Sequence, residues 1–502
     1  MTVSPARPRQ GRLVAVGPHR RTVLPSGMRV VTQAMPGARS ASVAIFVPVG
    51  SRHEDDRHAG LSHLLEHLVF KGTRAHPEPG SLSQRVEGVG GSVNASTDRE
   101  VTVYSSKVPG EHVGVALEAV SELALRPLLR AGDLRAEKPI IVDEIRMYVD
   151  SPSDHVFTLF DELLFGRHPL GREIAGTIGS VRRARHDAVL DHWRSAYQPG
   201  RVVLAAAGAV DHASVLGVAA EWLADGPELD GRPPSAATVV AGAPAFAPPG
   251  ALRVSYRQLS QGNLCLGMPG VARDDPDRWA LDLLGAILGD GMGSRLFLEL
   301  RERRSLVYDV STFSASYADA GTFGVHAGFD PEDAERVVAA ILDELDRIVT
   351  DPIPPDELDR ARAYTRGRLE LRMEDSGAVA GWIGSGETLL PRILTVDEVI
   401  ERLDAVSLDD LRRVAQRFLA PDQARLAVLG PFRSRSRFER ALRRCAPADR
   451  AGVRRQPTNT LTRGTARGPG SRRPMGAQAE RTTLPLPPNQ PWRGISARRI
   501  GM

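Results

Sequence analysis

Two distant stretches of this chain carry the same leucine pattern: LSHLLEHLV from Leu61 and ALDLLGAIL from Ala280, at an offset of roughly 220 residues. A second echo, VAQRFLAPDQARLAVLG after DHWRSAYQPGRVVLAAAG, keeps that spacing. An equal offset between unlike segments marks a duplicated domain, so the fold has to be one that each copy can complete. Between the copies GPELDGRPPSAATVVAGAPAFAPPG, rich in Pro, Gly and Ala, has the composition of a linker.

Within the first copy, residues 22 to 48 form two strand patterns, TVLPSGMRVVTQAM with a turn at Ser26-Gly27 and then the alternating SASVAIFVPVG. Leu82 to Val89 predicts a helix, SVNASTDREVTVYSSKV two strands or one long bent one, and Glu111 to Leu128 an amphipathic helix closed by a proline. The second copy repeats strand, helix, Gly-rich turn, helix and strands before the helix DAERVVAAILDELDRI. The expected fold class is α+β: two homologous domains, each an antiparallel β-sheet packed with α-helices. The boundaries are a flexible tail at 1–20, a first domain at 21–225, a linker at 226–250, a second domain at 251–445 and a disordered basic tail at 446–502.

With 502 residues, 42% hydrophobic and 25% charged, the chain has material for more than one core. Its net charge of +4 is carried by its ends: residues 446–502 and 1–22 are strongly arginine-rich, which leaves about −10 for residues 23–445. An acidic body gives no footprint for nucleic acid. Only Cys265 and Cys445 occur, far apart and outside any CxxC, so neither disulfides nor thiolates organise the fold. No run approaches the ~20 apolar residues of a membrane span, and no signal-peptide core opens the chain. A cytoplasmic location is the expectation. The absence of acid before Glu54 resembles a transit peptide, but the strand-like, proline-rich character of that stretch argues against one.

In the first leucine stretch His63, Glu66 and His67 recur at the i, i+3, i+4 spacing of one helix face, beside a stripe of Leu61, Leu64, Leu65 and Leu68. Histidines one turn apart can reach the same zinc ion. A carboxylate just before the second histidine is poorly placed to ligate but well placed to hold and deprotonate a metal-bound water, making Glu66 the candidate general base. HxxEH is the inverted zinc-peptidase signature. The bland alternative is a solvated amphipathic helix, since the pattern arises by chance in roughly one or two such chains in a hundred. In the second copy Asp282, Gly285 and Ala286 replace the three polar residues, so only the first copy can hold this metal.

A third ligand is required, and DLRAEKPIIVDEIRMYVD offers two carboxylates seven apart on one helix face, Glu137 and Glu144. Either taken alone is more often an ordinary surface charge. Pro139 interrupts that helix, removing an N–H and favouring a kink unless it sits at the first helical position, which bears on Glu137 more than on Glu144, five residues beyond the proline.

HLLEH, FKGT, GGSVNAST, EKPIIVDEI and LGREIAGTIGSV, followed by a degenerate second copy, together resemble the pitrilysin/insulinase family of zinc metallopeptidases, in the branch of the mitochondrial processing peptidase and its bacterial relatives. The resemblance spans about residues 21–440. It implies the metallohydrolase fold shared with LuxS and one Zn2+ per chain held by His63, His67 and Glu144, with Glu66 polarising the water and Glu137 supporting the site. It further implies that Asn94 and Ala95 lie on an edge strand to which substrate adds, and that Phe70 lines a subsite. Arg301 and Tyr308, in LRERRSLVY, would contact the substrate carbonyl. Without the resemblance they read as a surface arginine and a core tyrosine.

The leading expectation is a zinc endopeptidase acting on extended or unfolded peptides, including precursor or leader peptides. A non-catalytic partner subunit or scaffold is the rival from another class, and a LuxS-like lyase fits neither the length nor the cysteines. Larger relatives enclose substrate between two duplicated halves, whereas this chain has one. A homodimer with composite sites is therefore expected, with a heterodimer as runner-up.

Overall fold

The computed structural model describes residues 19–222 and 242–443. Residues 1–18 of the expected N-terminal tail, residues 226–241 of the linker, Cys445 and the tail 446–502 lie outside the described residues.

The first half begins with β1 (Arg20–Val23), β2 (Arg29–Ala34) and β3 (Ser40–Val47), then α1 (Leu61–Val69) and α2 (Ser81–Glu87). SVNASTDREVTVYSSKV resolves into two strands, β4 (Ser92–Thr97) and β5 (Thr102–Pro109). Next come α3 (Val113–Leu125), α4 (Ala131–Asp150), α5 (Pro152–Phe165), α6 (Ile178–Arg183) and α7 (His186–Ala196). β6 (Val203–Gly208) and α8 (His212–Trp222) close this half. The second half contains β7 (Leu252–Tyr256), β8 (Gly262–Pro269), α9 (Arg278–Gly289), a π-helical turn (Phe297–Arg303), β9 (Val307–Ser316) and β10 (Gly321–Phe329). Its remaining elements are α10 (Ala334–Thr350), α11 (Pro355–Arg372), α12 (Ser376–Leu389), α13 (Val396–Ala405), α14 (Leu408–Phe418), β11 (Arg425–Gly430) and α15 (Ser436–Arg443).

The strands form a six-stranded sheet, β1-β2-β6-β3-β5-β4, and a five-stranded sheet, β7-β11-β8-β10-β9. The expected two-domain α+β architecture is present, and the strand pairing is antiparallel apart from one parallel pair in each sheet, β2 with β6 and β7 with β11. Both exceptions involve the last strand of a half, which returns after a long helical excursion; such a crossover is what parallel pairing requires.

Side chains alternate across each sheet, as a period of two dictates. In the first, Val43, Ile45, Leu204 and Ala206 face a core shared with α1 and α3, while Ala44, Phe46, Val203 and Ala205 face the other way. That second face is covered by α12, which belongs to the second half. The reciprocal holds for the other sheet: Cys265, Ala427 and Leu429 pack on Val156, Phe160 and Leu164 of α5, from the first half. α5 follows α4 as α12 follows α11, so the two copies exchange equivalent helices. Glycine permits both close approaches, since a Cβ at Gly384 would lie 2.0 Å from the Phe46 ring and one at Gly267 would lie 2.7 Å from that of Phe160.

Buried charge also ties the halves. Arg52, 2% exposed, donates to Glu100 Oε1 and to the Asp319 carboxylate at 2.6 Å, and Arg273 pairs with Glu100 from the second half.

Candidate metal centre

α1 starts after Gly60, whose φ of +93° suits glycine and whose missing side chain leaves no local cap. Glu54 takes that role from a distance: its carboxylate accepts from the N–H groups of Gly60 (2.7 Å) and Ser62 (2.6 Å). Leu61, Leu64, Leu65 and Leu68 are buried in the first-half core, which turns His63, Glu66 and His67 to the opposite side, toward α4 and β4.

α4 corrects the expectation at Pro139. The helix is continuous from Ala131 to Asp150 with the proline inside it. Pro139 and Arg135, whose carbonyl loses its helical partner, are both exposed, so water can take up that carbonyl; Leu134, Ile141, Val142 and Ile145 hold the opposite face in the core. Glu137 and Glu144 therefore stand on one unbroken helix.

Glu144 Oε2 lies 3.3 Å from His67 Nε2, and its Oε1 lies 3.7 Å from His63 Nε2. The three donor groups all fall within 4.8 Å of one another and form the one such cluster among the described residues. A tetrahedral ion with bonds near 2.1 Å separates its ligands by about 3.4 Å, so this donor set fits zinc. Two nitrogens and one carboxylate also leave a fourth position for water or substrate. Glu137, 3% exposed, accepts from His67 Nδ1 at 3.0 Å and pairs with Lys71 Nζ at 2.7 Å. It thus belongs behind the ligands, where a carboxylate fixes the ring that faces the metal. Glu66 Oε2 accepts from the Thr97 hydroxyl at 2.6 Å.

In the metal-free protein the histidines diverge. Burial pushes His63 below its ordinary value; burial also lowers His67, but its hydrogen bonds to Glu144 and Glu137 outweigh that, and its net shift is upward. Burial likewise raises the Tyr148 phenol, with the Glu144 charge adding to it.

Asn94 and Ala95 lie on β4, an edge strand of the sheet, paired with β5 and packed beside α1. Phe70 caps the C-terminal end of α1 and packs partly against the first-half core. Arg301 sits in the π-helical turn with its guanidinium 4.9 Å from the Phe297 ring, and Tyr308 lies on β9, the edge strand of the second sheet. Tyr308 is 51% exposed, which overturns the core-tyrosine reading. The π-helical turn packs on β9 and α10, and β9 packs on α9 and, through Phe313, on Phe157 and Phe160 of α5, whereas α1 packs on α4, α7 and β4. The composition of α9 matches expectation, with Asp282, Gly285 and Ala286 in place of the motif.

Lys71 and Thr97 were not singled out by sequence. Lys71 stands four residues after His67 and so continues the histidine line; Thr97 reaches Glu66 only because β4 passes α1, which local spacing does not reveal.

Residues 29–178 match the family described as Insulinase (Peptidase family M16), and residues 183–364 match Peptidase M16 inactive domain. An "Uncharacterized zinc protease" of Streptomyces coelicolor is 37% identical over 423 residues, covering 84% of this chain and 91% of that protein. The mitochondrial-processing peptidase subunit beta of Saccharomyces cerevisiae is 30% identical over 426 residues, covering 82% and 91%. Among solved structures, a protease from Helicobacter pylori has a TM-score of 0.75 at 22% identity, over 83% of this chain and 100% of that one. The peptidase M16 inactive domain from Pseudomonas fluorescens gives 0.73 at 21% identity, over 83% and 98%. At these identities the two structures share the fold with this chain.

Proposed function

This chain belongs to the M16, or insulinase, family of peptidases, and from that premise we propose that it is a zinc-dependent endopeptidase that cleaves extended peptide segments of precursor or leader polypeptides. The observation that carries the reading is the convergence of His63, His67 and Glu144 from two helices into one donor set. In this role a bound zinc supplies a Lewis acid that polarises a carbonyl and makes water ionisable near neutral pH.

The chain's own residues do the rest. Glu66, held by the Thr97 hydroxyl, takes the proton of the attacking water and returns it to the leaving amine. The outer edge of β4 at Asn94 and Ala95 accepts substrate as an added strand, beside the metal helix, with Phe70 at the rim of the adjoining subsite. The similarity to a mitochondrial-processing peptidase subunit supports precursor processing as the task. No helix among the described residues is long and apolar enough to cross a membrane, which is compatible with work in the cytoplasm.

Glu66→Gln should keep one zinc per chain and lose nearly all peptide hydrolysis, whereas His63→Ala or Glu144→Ala should lose the metal too. Metal content measured beside hydrolysis of a peptide library separates these defects. A fully active Glu66→Gln protein would refute the mechanism, and a wild-type chain with neither zinc nor hydrolysis would favour the non-catalytic partner role.

Assembly follows from where Arg301 and Tyr308 sit. Both belong to second-half elements, the π-helical turn and β9, and a guanidinium and a phenol are suited to a developing oxyanion. Our reading is a homodimer in which each zinc site is completed by Arg301 and Tyr308 of a second copy; a related but different subunit is the alternative. Glu66→Gln and Tyr308→Phe chains should each be poorly active alone. After subunit exchange about half the dimers are mixed, each with one intact site, so activity should recover to roughly a quarter of wild type. No recovery despite verified exchange excludes the composite homodimer.

A further inference from the structure

α1 and α4 meet as two polar ladders. His63, His67 and Lys71 follow one another at four-residue steps, the last of them just past the C-terminal cap of α1. Glu144 and Glu137 run beside them in the opposite sense: Glu144 meets both histidines, and Glu137 meets His67 and Lys71. The ladder thus extends one rung beyond the zinc motif and ends on a lysine.

We propose that Lys71 is a positioning residue for the metal ligand His67, acting through Glu137. The inference rests on the zinc reading above. A buried carboxylate stays where it is only if its oxygens are matched, and the side chain of Glu137 is 4% exposed. Oε1 faces His67 Nδ1 at 3.0 Å, while Oε2, which makes no hydrogen bond among the described residues, is matched by the Lys71 ammonium as an ion pair, Nζ at 2.7 Å. To offer Nε2 to a metal, His67 keeps its proton on Nδ1 and donates it to Glu137; the lysine anchors the far oxygen and so fixes the carboxylate plane that aims the ring.

The other histidine has no such support. His63 Nδ1 is buried and lacks a hydrogen-bond partner among the described residues, so no outer polar group orients that side of its ring. Polar orientation of the donor set is therefore concentrated on the His67 side, where Lys71 terminates it. The equivalent ladder of the second half has no counterpart to this arrangement: Asp282 and Ala286 replace the histidines, and Asp290, not lysine, stands after them.

The test is zinc affinity by chelator competition on the full chain, compared among wild type, Lys71→Met, Lys71→Arg, Glu137→Gln and the Lys71→Met/Glu137→Gln double variant. Lys71→Met should bind zinc about 10- to 100-fold more weakly, the range expected when an outer partner of a ligand is lost. Lys71→Arg should restore most of that affinity. The double variant should bind no more weakly than Glu137→Gln, because the lysine acts only through the carboxylate. Unchanged affinity in Lys71→Met, or losses that simply add in the double variant, overturns the proposal. If Lys71→Met does not fold, the neutral but hydrogen-bonding Lys71→Gln replaces it with the same expectation. A wild-type chain that binds no zinc defeats the zinc reading itself, an outcome distinct from a wild type that binds zinc and a lysine variant that binds it equally well.

Discussion

Glu54 shows how much of a metal helix can depend on a residue outside it. Its two oxygens take the N–H groups that Gly60 cannot cap, yet burial is the larger influence and pushes its carboxyl up to about 7, against those hydrogen bonds and the Arg172 charge. A folded-state value above the unfolded one means that the folded chain holds the proton longer. The corresponding stability is fully present below about 4.5 and is lost as pH rises through about 7, a change of a few kcal/mol at most. Compared with Glu54→Gln, wild type should therefore lose melting temperature between about pH 5 and pH 8, measured on the metal-free proteins. Parallel profiles for the two proteins would remove Glu54 as the cause. At this scale the sequence disclosed what one helix brings together by itself: His63, Glu66 and His67 share a face because of their spacing. It could not disclose Glu54, Thr97 or the exposure of Tyr308, which depend on where another element passes.

Elements that touch across the two halves depend on glycine. Gly384 lets α12 lie on the Phe46 ring, and any side chain there would begin 2.0 Å from that ring. Gly384→Val should lift the helix from the sheet and destabilise the fold by about 1–3 kcal/mol, or more where the sheet cannot yield. Gly381, on the same helix, has open space around its Cβ position, so Gly381→Ala should be neutral or slightly stabilising. Denaturant unfolding of the pair distinguishes a packing defect from a general intolerance of α12 to substitution, which equal losses would indicate. Strands and helices were legible from their periods, and β4 and β5 emerged as one of the two arrangements expected of their stretch. The single parallel pair in each sheet was not, because alternation fixes which face a residue takes and says nothing of strand direction. Pro139 misled for a related reason: whether a proline breaks a helix depends on whether the freed carbonyl finds water, and here it is on the exposed side.

At the scale of the molecule the duplication was visible in a repeated offset, and so was the confinement of the candidate donor set to one copy. The exchange of α5 and α12 was hidden, since an apolar helix face does not record which sheet it will cover. The exchange also gives the buried Arg52–Glu100 pair a place, where Asp319 and Arg273 of the second half close over it and the charges of both halves neutralise one another. A single ancestral copy could have covered both faces of its sheet only by trading a helix with a second copy, so the present chain is in effect a tethered dimer. The tether has let the copies diverge in chemistry while each remains the other's lid. Asp282 stands where the first half has His63, and a chain stripped of its second half would leave the sheet beneath the helix of His63 and His67 roofless, with Phe46 facing water. The second copy is thus a built-in cover that the first never has to find.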